Sequence, residues 1–195
     1  EANPDLISDR VATRFVEAAD RLESRGIPVV LGTPYDVTGE VIPPYPLSAL
    51  HHSVALIHKD GNVFSEDKIT RRALTYLYGK PVFHVELAQR LGVHPEGFRP
   101  RGNFSVNEIE SEYFFFRYHG DPARNSKSPG SDPYPIYSFA DVINDRIAAD
   151  KFSGKIVLVG TLSREDSSDF VFTPYGKQAY ATPKLALHGT ILDSV

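Results

Sequence analysis

At 195 residues, with a formal charge of −4 and a pI near 6.0, the chain has the length of one domain and carries no basic field. Its 21 Lys and Arg are interspersed with 25 Asp and Glu, which excludes nucleic acid as an electrostatically driven partner. The lack of cysteine excludes disulfides and thiol chemistry, and no apolar run approaches the roughly 20 residues that a membrane helix requires.

Residues 11–25 carry a helical period. Val11, Phe15, Ala18, Ala19 and Leu22 fall on one predicted core face, Ser8 or Asp9 caps the start, and Gly26 ends the helix. A short buried strand is expected over 27–31, and Pro34, Pro43, Pro44 and Pro46 make 33–46 a loop. His52–Lys59 and Ala73–Tyr78 read as strands, with Asp60-Gly61-Asn62 and Gly79-Lys80-Pro81 as turns, and the simplest pairing joins them as an antiparallel hairpin. A helix follows over 83–92, with Phe83, Leu87, Ala88 and Leu91 inward and Gly92 as its stop. The aromatic run 112–118 is a strand by composition, and the Pro-rich segment 119–135 a loop. Ser138 and Asp141 form a capping signature for a helix to about Ile147. Lys155–Gly160, KIVLVG, is a continuous branched apolar run of the kind buried on both faces of a parallel sheet. The segment 182–195 reads as a turn and a helix with Leu185, Leu187, Ile191 and Leu192 apolar. The expected fold is therefore α/β: a mixed, mainly parallel central sheet flanked by helices, over a single domain 1–195.

Motifs for catalysis are missing. Gly160 is followed by Thr-Leu-Ser rather than by the glycines and lysine of a phosphate loop, a dinucleotide fingerprint or a nucleophile elbow. The seven histidines show no HExxH or other ligand spacing, so neither metal nor cofactor is expected and no catalytic residue is assigned. The aromatic run EYFFFRYHG lacks the basic surroundings of a base-stacking platform and reads as strand core. In open α/β sheets ligands bind beyond the C-terminal ends of strands, which makes Thr161, Ser163, Arg164, Asp166 and Asp169 the candidate ligand-binding residues.

Three blocks resemble the CHASE2 domain, an extracytoplasmic sensory module of bacterial membrane receptors. They are YPIYSFADVINDRI (134–147), FSGKIVLVGTLSREDSSDFVFTPYG (152–176) and ALHGTILDSV (186–195), in the family's order and spacing. KDGNVFSEDKITRRALTYLYGKPVFHVELAQRLG (59–92) is similar to the family's strand, double-Arg, strand, turn and helix. The matching positions are Gly160, Thr161, Asp169, Thr173, Pro174, Gly176, His188 and Asp193. Arg71 and Arg72 match in the weaker block, and Arg72 is added as a ligand-binding candidate. The resemblance implies a fold-holding role for Gly160, Thr173, Pro174, Gly176, His188 and Asp193.

It also implies a sensor of a small-molecule or protein signal, without enzymatic activity of its own. The sensor would be held by flanking membrane helices, through which two copies pair, and coupled to a cytoplasmic cyclase, histidine kinase, Ser/Thr kinase or diguanylate cyclase. The family's opening strand and its Trp- and Pro-containing segment have no counterpart here, so the first strand–helix unit and the membrane helices are expected to lie outside this chain. From the residues alone, a small α/β hydrolytic enzyme using the 161–169 loop and a protein-interaction or dimerisation module stay open.

Overall fold

The computed structural model describes residues 9–36, 39–54, 67–77, 79–93, 102–106, 109–122, 134–161, 170–176 and 182–194. Two units separate: Glu1–His58 with Arg72–Phe115 and Val195, and Lys59–Arg71 with Phe116–Ser194. Among the described residues the fold is mixed α/β, with four α-helices and several small sheets.

In the first unit, helix α1 spans Asp9–Glu23. Gly26, at φ +77°, ends it: the Ile27 N–H reaches back to the Leu22 carbonyl and the Gly26 N–H to that of Glu23, a geometry that needs a left-handed residue. The buried side chains of α1 are Ala12 and Ala19, while Val11, Phe15 and Leu22 face solvent. The predicted core face is thus displaced by roughly a quarter-turn of a 3.6-residue helix. The two alanines let α1 pack closely, and it lies against the 3-10 turn Leu47–Ala49.

The expected strand at 27–31 begins only at its end, as β1 (Leu31–Thr33), which pairs in parallel with β4 (His52–Val54) from Leu31↔His52 to Thr33↔Val54. Between them β2 (Tyr35–Asp36) and β3 (Gly39–Glu40) form a small antiparallel pair. The hairpin expected between 52–59 and 73–78 is absent among the described residues, because β4 takes β1 as its partner.

The larger sheet has the order β6-β5-β8-β7, where β5 is Arg72–Leu77, β6 Lys80–Pro81, β7 Gly102–Val106 and β8 Ile109–Phe115. Every pair in it is antiparallel, which corrects the expectation of a mainly parallel sheet. Two-residue connections separate β5 from β6 and β7 from β8, and only a chain reversal can be made over so short a link. Strand β5 is central, so Ala73, Leu74, Thr75 and Leu77 are all buried, and Phe114 packs beside them from β8. The register shifts between Leu74 and Tyr76, which bulges Thr75 out of the ladder. The Val82 N–H bonds the Thr75 carbonyl at 3.1 Å, and the His84 Nε2 bonds the Leu74 carbonyl at 2.7 Å.

His84 lies in the first turn of helix α2 (Phe83–Arg90), whose buried face is His84, Val85, Leu87 and Ala88, with Leu91 exposed beyond it. Gly92, at φ +71°, stops the helix as expected, with Val93 N–H on the Ala88 carbonyl. Arg90 reaches both Glu86 and Glu23 at 3.1 Å, tying α2 to the end of α1.

The second unit holds α3 (Phe139–Ile143), α4 (Lys184–Leu192), β9 (Phe170–Val171) and β10 (Thr182–Pro183). Helix α3 follows Ser138, but it stops short of Ile147 because Asp145 sits at φ +54°. Helix α4 starts after Pro183 and buries Leu187 and Ile191 completely.

The expected strand 155–160 is the largest departure. From Ile156 to Gly160 the chain joins no ladder among the described residues, and Val159 is 74% exposed, with Ile156 and Val157 about half exposed. A branched apolar run favours a strand only where neighbours bond its backbone and cover its faces.

Candidate functional site

The second unit gathers the C-terminal motif blocks around α4. Strand β9 pairs antiparallel with β10, setting Val171 opposite Thr182, and just beyond it Phe172 bridges in parallel to Ile69. The Thr70 N–H bonds the Phe172 carbonyl at 2.9 Å. The chain then turns: Thr173 and Gly176 exchange backbone hydrogen bonds at 3.1 and 3.2 Å, and the Thr173 Oγ1 accepts the Tyr175 N–H at 3.3 Å. Thr173 is completely buried, with its hydroxyl 3.4 Å from that of Thr182, and Pro174 occupies the exposed tip. The Thr-Pro-aromatic-Gly turn is therefore held by its own side chain and backbone.

Tyr118 ties this turn to the rest of the unit. Its hydroxyl donates to the Thr70 carbonyl at 2.6 Å, and its ring meets Tyr175 edge-on at 6.0 Å and Phe116 at 5.1 Å. Arg71 makes a bidentate pair with Asp67, at 3.0 and 2.6 Å.

A second cluster fastens the last turn of α4. Ser194 Oγ accepts the Arg117 N–H at 3.1 Å and lies 2.8 Å from the Thr190 carbonyl and 3.1 Å from the Arg117 carbonyl. The His119 Nδ1 stands 3.1 Å from an Asp193 carboxylate oxygen. The Tyr134 phenol is held above the usual tyrosine range chiefly by burial, with the Thr190 hydroxyl opposing and the Asp193 carboxylate reinforcing the shift. The Tyr134 ring lies over Gly189, where a Cβ would meet ring carbons at 3.5 Å, an ordinary van der Waals contact. A Cβ on Gly160 would lie 3.2 Å from Leu185 of the same helix. Residues 117, 119, 134 and 160 thus converge on α4 and its C-terminal end.

The motif residues expected to hold the fold are placed as follows. Thr173 and His188 are buried, Gly176 closes the turn, Gly160 approaches α4, and Asp193 sits in the terminal cluster. Of the ligand-binding candidates, Thr161 and Arg72 are among the described residues. Thr161 is exposed beside Gly160, whereas Ser163, Arg164, Asp166 and Asp169 lie outside the described residues. Arg72 belongs to the first unit, where its guanidinium lies 5.2 Å from the Tyr113 ring centroid and 5.8 Å from that of Phe115. Among the described residues no group of three or more metal-ligating side chains forms, and no helix is long and apolar enough to cross a membrane.

Sequence reasoning missed Tyr134, Arg117, His119 and Ser194 as members of one cluster. Their signal was present in part, because Tyr134 opens one of the motif blocks and Ser194 belongs to another.

Compared with known proteins, residues 8–195 match the family model of the CHASE2 domain. No curated protein and no solved structure matches the chain.

Proposed function

The chain belongs to the CHASE2 domain family, and from that premise we propose that it is the signal-sensing domain of a bacterial membrane signal-transduction protein. CHASE2 is an extracytoplasmic sensory family, and the observation that carries the reading is a match spanning residues 8–195, nearly the whole chain. In this reading the domain lies on the periplasmic or extracellular side. Flanking membrane helices pair two copies and couple them to a cytoplasmic cyclase or kinase. A small molecule or protein binds through the polar groups of Thr161, Ser163, Arg164, Asp166 and Asp169.

Such a domain works by population shift, and a ligand moves the output only by its difference in affinity for two packings. The last turn of α4 is a suitable element to transmit that difference. Residues 117, 119 and 134 hold it through hydrogen bonds and one exposed ion pair, which can be remade without opening the core.

The test uses the intact membrane protein. Asp193→Asn with Ser194→Ala is expected to change effector output while membrane abundance stays constant; unchanged output overturns the reading. A ligand identified by thermal shift on the domain should add about 2.7 kcal/mol at a hundredfold excess over Kd. The same compound should then alter effector output.

A further inference from the structure

Helix α1 leaves an organised apolar seam in solvent. Val11, Phe15, Ala18 and Leu22 follow one another at spacings of four, three and four, the interval at which one helix presents a continuous stripe to another. Val11 is 59% and Phe15 47% exposed, Leu22 is also exposed and Ala18 is half-buried, so a partly exposed seam runs about 16 Å along the helix. Isolated exposed apolar side chains are ordinary; an aligned series over three turns on one helix is not.

The two edges of the seam differ. On one side lie Ala12 and Ala19, buried against the unit to which α1 belongs. On the other lie Arg14 and Arg21, seven residues apart, both exposed and without an ion pair among the described residues. An occupant therefore rests against the protein along one edge and meets two guanidinium groups along the other.

These edges exclude a second copy of α1. Antiparallel pairing of two such seams sets Arg14 of one copy against Arg21 of the other, and like charges across a helix interface are unfavourable. Parallel pairing about a two-fold axis needs the Ala12–Ala19 edge, which the protein itself already covers.

We propose that this seam docks an amphipathic helix of a partner protein, with an apolar stripe over Val11, Phe15 and Leu22 and carboxylates along the edge facing Arg14 and Arg21. The helical spacing selects a helix rather than an extended peptide, and the two arginines, without an ion pair among the described residues, select acidic flanks. Ala18, the small residue within the seam, admits a large side chain from the partner.

The experiment is fluorescence anisotropy of the full chain with two labelled helical peptides. Both carry leucine at seam spacing; one has Glu and the other Lys at the flanking positions. The Glu peptide is expected to bind about tenfold more tightly at low salt, the effect of two charge pairs of modest strength. Arg14→Glu with Arg21→Glu should reverse the preference. Phe15→Ser should weaken the Glu peptide at least tenfold while leaving the thermal melt in place, since Phe15 is not a core residue. Equal binding of both peptides, or binding indifferent to Phe15→Ser, overturns the proposal. So does concentration-dependent dimerisation in sedimentation that Phe15→Ser abolishes, because a second copy would then be the occupant.

Discussion

Burial sets the chemistry of His84. The imidazole is fully enclosed, with Phe114 edge-on at 5.8 Å, and burial lowers its pKa from 6.5 to about 4, opposed by the hydrogen bond to the Leu74 carbonyl. The folded protein therefore holds His84 neutral where the unfolded chain would protonate it. Its contribution is complete above the unfolded pKa of 6.5 and is lost as pH falls towards 4, at a total cost of about 3 kcal/mol. Urea midpoints measured across that window should fall for the wild type and fall less for His84→Gln; parallel profiles would sink the assignment. Ser194 poses a plainer case. Its hydroxyl accepts the Arg117 N–H, so Ser194→Ala leaves that donor without its protein partner and should cost about 1 kcal/mol by urea denaturation. No loss of stability would mean that water replaces the hydroxyl at no cost.

At the scale of elements, pairing and packing decide what local preference leaves open. The bulge at Thr75 shows how: one extra residue in β5 turns the Leu74 carbonyl to His84 and the Thr75 carbonyl to Val82, which seats the start of α2 on the sheet. The segment 155–160 shows the converse, a strong strand composition with no ladder among the described residues. A charged side chain separates the two readings of it. Val159→Lys should change stability by less than about 0.5 kcal/mol, as at a solvent-facing site, whereas a strand buried on both faces would lose several. Chemical denaturation of the variant beside the wild type decides between them. Helix α1 adds the same lesson from the other side: its apolar stripe was readable, but which edge of that stripe met the protein was not.

Across the whole molecule, charge is the property that composition states most directly. With 21 basic and 25 acidic residues in mixed order, the chain should retain no duplex DNA or single-stranded RNA in filter binding near physiological salt; salt-sensitive retention would contradict that expectation. Helix ends were legible too, since Gly26 and Gly92 stop α1 and α2 by a backbone conformation that glycine adopts without strain. The C-terminal blocks were legible as a family signature, which the match over 8–195 bears out. Strand β7 went unread because GNFSV is short and weakly apolar, and only β8 beside it makes it a strand. The Tyr134, His119 and Ser194 cluster joins residues distant along the chain, so no local window contains it. What the sequence alone determined was its charge, the places of its helices with the stops of α1 and α2, and its family, all of which rest on residues close together or in fixed order. Only the tertiary structure decided strand partners, sheet direction, buried faces and the fastening of α4, because each depends on which distant segments meet and what they then exclude from water.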